Sequence, residues 1–350
     1  MKKIDVYSHI LPPAYFKEMQ RHVTDPGALK RWLELPALHD VPSRLEMMAT
    51  FGDSLQQVLT LSSPPIELLT GPEESPGLAR VANETMRDLV EQYPHRFPWF
   101  VASLPMNNIE ACMAEVAYAT DELGAVGVQL FTNVNGRPLD DPEFLPIFDE
   151  MARRDLPIWM HPTRNARFSD YASETTSKFE IWWAFGWPYE TSVAMARMVF
   201  SGLFERHPAL KIITHHLGAM IPFFEGRIGL GWSDQLGTRT DGDEGADLAT
   251  RLPRRPLDYF QMFYADTAIS GSQIALRCGL DFFGSEHVLF GSDCPFDPEG
   301  GPAYIREIIA AVEKLDLDVA TQQLLYEGNI RRLIAPALRR ADEVAHQGDV

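Results

Sequence analysis

Cysteine is scarce in this sequence, which also contains neither a long apolar run nor a basic cluster. Its 350 residues include three cysteines without a CxxC spacing, which excludes a disulfide scaffold and a cysteine-only zinc site. No stretch approaches the roughly 18 consecutive apolar residues of a membrane span. The 49 acidic residues outnumber the 31 basic ones and give a net charge of −18. That charge argues against a nucleic-acid or an anionic-membrane partner.

The amino terminus has no apolar run of the signal-peptide kind, so we expect a soluble, cytoplasmic enzyme. Hydrophobic residues make up 45% of the chain, which is enough for a large core and excludes intrinsic disorder. The length permits several domains, but α/β barrels of this size are often single units. We therefore predict one barrel domain over residues 1–338, followed by a charged carboxyl-terminal tail at 339–350.

Short apolar runs alternate with amphipathic stretches along the whole chain. Each run has the length of a buried parallel strand and is bounded by polar, glycine or proline residues. The runs are 3–6, 57–61, 99–103, 126–130, 157–160, 211–214, 262–265 and 288–291. Eight strand–helix units predict a (β/α)8 TIM barrel. A doubly wound open sheet is the competing fold, but no GxGxxG follows the first strand.

Several segments lie outside a minimal barrel of this kind. Residues 11–40, after the first strand, mix prolines with polar and aromatic residues and predict a small insertion. Residues 233–256 are rich in Asp, Gly, Thr and Arg and predict an exposed loop. Residues 304–314 and 319–333 have helical periodicity, so we expect extra helices after the eighth strand.

Residues able to carry out chemistry follow most of the predicted strands. Barrel active sites lie at the carboxyl ends of the strands, and imidazole and carboxylate groups there suit one divalent ion, Zn²⁺ or Mn²⁺. Such an ion would polarise a substrate oxygen or activate a water. A single histidine at a strand end is more often structural, but several at one rim favour a metal or catalytic cluster. The residues at these ends are Tyr7, His9, His161, His215, His216, Asp266 and Asp293.

An aromatic-rich segment, residues 179–188, follows the fifth strand. Its Trp182 and Trp187 could cover an aromatic ring, and packing under a loop or at a subunit interface is an equal alternative. Phe131 and Phe296, which follow the fourth and eighth strands, are further candidates for the same pocket. An apolar pocket with a few convergent polar groups suits a flat carboxylic acid.

Longer blocks of the chain carry a resemblance to a known family. They are IDVYSHILP at 4–12, MHP at 160–162, SGLFERHPALKIITHHLGAMIPFFEGR at 201–227, FYAD at 263–266 and LFGSDCPF at 289–296. Together they resemble the amidohydrolase superfamily, in its second branch, which includes aminocarboxymuconate-semialdehyde decarboxylase and γ-resorcylate decarboxylase. The resemblance covers nearly the whole chain. It implies a metal-dependent, non-oxidative decarboxylase of an aromatic or muconate-like carboxylic acid.

The same resemblance implies roles for individual strand-end residues. His9, His161 and Asp293 match the metal ligands of the family, and His216 matches its acid/base histidine. Tyr7 stands where the family has His or, in the resorcylate-type enzymes, Glu. A neutral phenol with a pKa near 10 is a poor ligand. Tyr7 could therefore bind the ion as phenolate, hydrogen-bond the substrate, or mark a site that has lost its metal.

Two arginines and a second histidine complete these expectations. Arg227 matches an arginine that, in aminocarboxymuconate-semialdehyde decarboxylase, reaches the substrate carboxylate of the neighbouring subunit, which implies a homodimer or larger homo-oligomer. Arg44 matches another carboxylate-binding arginine of that enzyme. His215 should matter less than His216, because adjacent residues on a strand point to opposite faces.

Three functions remain open at this point. In a decarboxylase, the ion would bind a carboxylate oxygen, and Asp293 or His216 would deliver a proton to the carbon that loses CO2. In a hydrolase or hydratase, an ion-bound water would attack a ring-derived lactone, amide or enol acid. The third hypothesis is a metal-free barrel that only binds aromatic acids, and the tyrosine at position 7 is the only observation that favours it. The resemblance favours the decarboxylase.

Overall fold

A computed structural model describes residues 1–23, 26–233 and 251–348. Eight parallel strands form its centre, and each of the eight predicted runs overlaps one of them. The strands are β1 Lys3–Ile10, β2 Leu55–Leu61, β3 Ala102–Ser103, β4 Val128–Phe131, β5 Ile158–His161, β6 Ile212–Thr214, β7 Tyr264–Asp266 and β8 Val288–Leu289.

The strands join into a closed ring. β1 pairs with β2, and the other six form a parallel sheet in the order β8, β7, β6, β5, β4, β3. Single bridges between Leu59 and Phe100 and between Ser8 and Cys294 link the two sheets at both edges. The His9 amide, for example, donates to the Cys294 carbonyl at 2.8 Å. The predicted (β/α)8 barrel is confirmed.

The barrel interior is filled by side chains from many strands. Apolar residues of different strands pack against one another there, as the layered interior of such barrels requires. The cluster includes Ile4, Val6, Tyr7, Val58, Val101, Trp159, Ile213 and Leu289, all essentially inaccessible to solvent. Because helices cover the outer face as well, the strands are apolar on both sides, which is why they stand out in the sequence.

Helices surround the strands, and short 3₁₀ turns and π-helical segments lie between some of these elements. The α-helices are Pro13–Met19, Pro26–Leu33, Pro36–His39, Val41–Ala49, Ile66–Leu69, Ser75–Gln92, Ile109–Asp121, Leu145–Arg154, Ile181–Ala184, Gly186–Phe200, Leu203–Arg206, Pro256–Phe260, Gln273–Phe283, Pro302–Lys314, Val319–Gln323 and Asn329–Gly348. The 3₁₀ turns are Gly52–Ser54 and His216–Gly218, and the π-helical segments are Arg227–Ser233 and Leu324–Gly328. A small hairpin pairs Asn133–Val134 with Arg137–Pro138.

The predicted insertion and carboxyl-terminal helices are present, and the last helix extends into the region predicted as a charged tail. The last helix, Asn329–Gly348, runs through position 338, so no break in the backbone separates a tail at residue 339. Arg340 Nη1 donates to the Arg154 carbonyl at 2.9 Å, which holds this part of the helix against the barrel. Of the loop predicted at 233–256, residues 234–250 lie outside the described chain. Within the described ranges, no helix is long and apolar enough to cross a membrane.

Candidate active site

The carboxyl ends of β1, β5, β6 and β8 bring three histidines and an aspartate together. His9 lies near the end of β1, His161 ends β5, His215 follows β6, and Asp293 follows β8. The three imidazoles are at most 2% exposed. Their potential ligand nitrogens lie within 4.8 Å of one another. The structure thus places the predicted strand-end residues in one buried cluster.

Asp293 is the common neighbour of the surrounding imidazoles. Its Oδ1 lies 3.1 Å from His9 Nε2 and 3.4 Å from His215 Nε2, and its Oδ2 lies 3.6 Å from His216 Nε2. The Asp293 amide donates to the Tyr7 carbonyl at 3.1 Å, which ties this turn to β1. Burial alone would raise the pKa of Asp293, but hydrogen bonds from the histidines hold it well below its usual range. The side chain is therefore an ionised carboxylate.

Hydrogen bonds at Nδ1 orient two of the imidazoles. His161 Nδ1 lies 2.6 Å from the Pro162 carbonyl, so Nδ1 carries the proton and Nε2 keeps its lone pair. His215 Nδ1 bonds the buried carboxylate of Asp266, which itself accepts from the Ala268 amide at 2.9 Å. Carboxylates and carbonyls in this position commonly orient metal-binding histidines.

The same surroundings shift the histidine pKa values in opposite directions. Burial, with the positive charge of neighbouring histidines, lowers the pKa of His161 well below its ordinary value. Burial likewise lowers the pKa of His9. It would also lower that of His215, but the carboxylates of Asp266 and Asp293 outweigh burial and raise the pKa to about 9. The two carboxylates, Asp266 at Nδ1 and Asp293 at Nε2, therefore favour a positive charge on the His215 ring.

His215 lies on the same side of the barrel as His216, so the expectation of opposite faces is wrong. β6 ends at Thr214, and His216 has a left-handed φ of 55°, so the strand alternation no longer applies. The two rings are 3.8 Å apart, and both reach Asp293. A signal existed in the sequence, because Asp266 also ends a strand and could have been paired with a histidine.

Tyr7 is completely buried, and its ring stacks on the ring of His215. The ring centroids are 4.0 Å apart with an interplanar angle of 25°. Its hydroxyl has no hydrogen-bond partner among the described residues. Burial and the charges of Asp266 and Asp293 raise the pKa of Tyr7 well above its usual value.

Aromatic side chains cover one side of the cluster. Trp187 lies 5.4 Å from the ring of His161 and stacks at 6.4 Å on that of His216. Trp182 packs on Trp187 at 5.7 Å, and Phe131 lies 5.3 Å from His161. The aromatic segment after β5 thus contributes a wall to the cluster, and its role in covering a substrate ring stays a prediction.

Phe296 and an unexpected arginine lie on another side. The Phe296 ring is 5.6 Å from that of His9. The guanidinium of Arg31 lies 5.6 Å from the Phe296 ring and 5.7 Å from the Trp183 ring. Nothing in the sequence pointed to Arg31, because only the folded path of the insertion brings the helix Pro26–Leu33 to the barrel rim.

Arg44 lies in the core beside the end of β1. It is completely buried, its Nε donates to Gln57 Oε1 at 2.8 Å, and its Nη1 donates to the His9 and Ala37 carbonyls at 3.0 Å. These bonds hold the end of β1, which carries His9. Its Nη2 has no hydrogen-bond partner among the described residues, and the predicted contact with a substrate carboxylate stays a prediction.

Arg227 begins the π-helical segment Arg227–Ser233. Its side chain is exposed to solvent, in contrast to the buried histidines at the strand ends. An exposed guanidinium is available to a second chain. Its reach into a neighbouring subunit stays a prediction.

Comparisons with known proteins agree with this geometry. A family model described as amidohydrolase matches residues 59–335. The chain is 31% identical over 308 residues to the decarboxylase macB of Penicillium terrestre, with 85% of each chain covered. It is 29% identical over 297 residues to the gamma-resorcylate decarboxylase of Rhodococcus jostii, with 82% of each covered.

A solved structure has the same architecture. It is a dihydroxybenzoic acid decarboxylase from a Polaromonas species with bound manganese and the inhibitor 2-nitroresorcinol, and it superposes with a TM-score of 0.74 at 24% identity. The superposition covers 95% of this chain and 97% of that one. Since the family match extends over most of the barrel, the chain belongs to the amidohydrolase family.

Proposed function

We propose that this protein is a metal-dependent decarboxylase that removes a carboxylate from an aromatic or muconate-like acid without an oxidant. The observation that carries the proposal is the buried cluster beside an aromatic wall, in which the nitrogens of His9, His161 and His215 lie within 4.8 Å of one another and Asp293 lies 3.1 Å from His9. The names of the relatives macB and gamma-resorcylate decarboxylase support the same reaction.

The donor atoms of the cluster fit a divalent ion. His9 Nε2 makes no hydrogen bond of good geometry within the described residues, although Asp293 Oδ1 lies 3.1 Å away. His9 Nε2 and Asp293 Oδ1 are both acceptors and face each other. Together with the lone pair on His161 Nε2, they are suited to bind one cation. Imidazole and carboxylate ligands suit both Zn²⁺ and Mn²⁺, and the manganese in the Polaromonas enzyme supports the latter choice.

When bound, such an ion would stabilise the negative charge that develops on the substrate as CO2 leaves. The remaining tasks fall to side chains of the chain itself. Trp187 and Phe296 offer flat apolar surfaces to a ring, and they exclude water from it. His216 is 20% exposed at its side chain, so it can reach a substrate above the cluster.

The reaction exchanges one bond for another at a single carbon. The carbon–carboxylate bond breaks, CO2 departs, and the electron pair stays with the ring or diene. A proton then forms the new carbon–hydrogen bond, so no oxidant or reductant is needed. His216, whose Nε2 lies 3.6 Å from Asp293 Oδ2, is placed to relay that proton.

The test measures CO2 and the decarboxylated product. Protein stripped with a chelator and reloaded with one equivalent of Mn²⁺ or Zn²⁺ is offered 2,6-dihydroxybenzoate and other hydroxybenzoates. We expect turnover by the loaded protein, loss of metal and turnover in His161→Ala, and no change in His95→Ala, because His95 is an exposed residue outside the cluster. Failure to hold metal after loading, or hydrolysis of ring-derived lactones in place of CO2 release, would overturn the proposal.

A further inference from the structure

We infer that His215 is a fourth protein ligand of the ion, beside His9, His161 and Asp293. Position 7, where the family has His or Glu, holds a tyrosine in this chain. His215, which stacks on Tyr7, would supply an imidazole to the ion in its place. The inference rests on the proposed function, because it concerns the same metal site.

The position of His215 meets the first requirement of a ligand. Its Nε2 lies 3.4 Å from Asp293 Oδ1. Its ring centroid is 5.7 Å from that of His9 and 5.1 Å from that of His161. The ligand nitrogens of these three histidines lie within 4.8 Å of one another, and Asp293 Oδ1 lies beside two of them, 3.1 Å from His9 Nε2 and 3.4 Å from His215 Nε2.

The orientation of His215 meets the second requirement. Because Nδ1 bonds Asp266, Nε2 is the nitrogen that faces the cluster. Asp266 is completely buried, and the chain that follows β8 packs tightly against it, since a Cβ at Gly291 would lie 2.8 Å from Asp266 Cβ. The carboxylate therefore has a fixed position, as expected for the outer partner of a metal-binding histidine.

Tyr7 contributes to the orientation of His215. Its hydroxyl is completely buried and has no hydrogen-bond partner among the described residues. Its ring instead lies flat on the ring of His215 and fixes the plane of that imidazole. The Asp293 carboxylate, 3.4 Å from His215 Nε2, adds a negative charge at the point where a cation would bind.

The experiment counts imidazole nitrogens on bound Mn²⁺ by pulsed electron paramagnetic resonance. We expect three coordinated imidazoles in the wild-type protein and two in His215→Gln. The neighbouring substitution His216→Gln is the matched control and should leave three. Tyr7→His added to His215→Gln should restore the third nitrogen, because position 7 lies against the vacated ring.

Affinity for Mn²⁺ separates a ligand from a residue that only orients one. Asp266→Asn should weaken Mn²⁺ binding by about 10–100-fold, the usual effect of losing an outer partner, and His215→Gln should weaken it further. Two nitrogens in the wild-type protein, or the same count in His215→Gln as in the wild type, would overturn the inference and leave the decarboxylase proposal intact. A wild-type protein that binds no Mn²⁺ or Zn²⁺ would overturn both.

Discussion

His216 differs from the other histidines of the cluster in its access to solvent. Its side chain is 20% exposed, whereas those of His9 and His215 are fully buried. Burial and the positive charge of His215 lower the pKa of His216, so a proton that it receives is readily given up. These features suit a residue that transfers protons at the substrate side of the ion.

We therefore predict that His216→Asn keeps the metal and loses most of the turnover. Positioned proton transfer contributes about 10²–10⁴-fold to rate, so kcat should fall by that factor while metal content per chain stays at the wild-type level. The measurement is steady-state kinetics together with elemental analysis of the same sample. A variant with near-normal kcat would show that His216 has a structural role only.

Glu67 is a second unusual residue, and its prediction concerns stability. It is buried in the helix Ile66–Leu69, and its Oε1 has no hydrogen-bond partner among the described residues. Burial raises the pKa of Glu67 from about 4.5 to about 7. The folded state thus binds this proton more tightly than the unfolded state does. The resulting stability is present below pH 4.5 and is lost as the pH rises to about 7.

Glu67→Gln removes the ionisable group and with it this pH dependence. Between pH 5 and pH 8 the wild type should lose more free energy of unfolding than the variant, by on the order of 2–3 kcal/mol. Urea denaturation of both proteins at the two pH values measures the difference. Parallel pH profiles would mean that Glu67 ionises in the folded protein as it does in the unfolded one.

Among the elements, the turn after β6 depends on a close approach by the helix Gln273–Phe283. A Cβ at Gly279 would lie 2.3 Å from Leu217 Cγ, and one at Gly218 would lie 2.5 Å from Phe283 Cζ. Gly218 also has a φ of 71°, which favours glycine. The helix and the turn that carries His216 thus touch at two positions without side chains.

Gly279→Ala should therefore destabilise the fold, because the added methyl group overlaps Leu217. Overpacking of this kind costs about 1–3 kcal/mol. Gly77→Ala is the matched control, since Gly77 lies in the helix Ser75–Gln92 with nothing within 4 Å of its Cβ, and it should gain about 0.5–1 kcal/mol. Urea midpoints give both values. Equal urea midpoints for the two variants would contradict the prediction, because they would mean that the turn with Leu217 moves away from the added methyl group at little cost.

For the whole molecule, the surface around Arg227 favours an assembly. Phe223 and Leu230, on either side of it in the chain, are 81% and 78% exposed. Large apolar side chains that are exposed together commonly mark interaction surfaces. We expect a homodimer or larger, in which Arg227 extends to the substrate of the neighbouring subunit. Because a guanidinium pairs with a carboxylate through a planar fork, Arg227→Lys should also be damaging.

Mixed dimers test this arrangement directly. Arg227→Ala and His161→Ala should each be inactive alone, and activity should return in part when they are mixed. One of the two sites in a mixed dimer would then combine intact metal ligands with the partner's intact arginine. Exchange of subunits is verified with differently tagged chains. If exchange occurs and no activity returns, each chain builds its site alone.

Much of this architecture could be predicted from the sequence. The eight strands are buried on both faces, so most of their residues are apolar, and this pattern is visible without any tertiary contact. Their number predicted the barrel, and the barrel in turn places the carboxyl end of every strand at one rim. His9, His161 and Asp293 could therefore be grouped although they are far apart in the chain.

Tertiary structure alone decided where side chains beyond the strand ends point. His215 faces the cluster because the backbone turns at His216 and because Asp266, on another strand, bonds its Nδ1. Arg44 faces the His9 carbonyl because Gln57 and that carbonyl meet it in the core. Such directions depend on partners distant in sequence, and strand periodicity carries no information about them once the strand has ended.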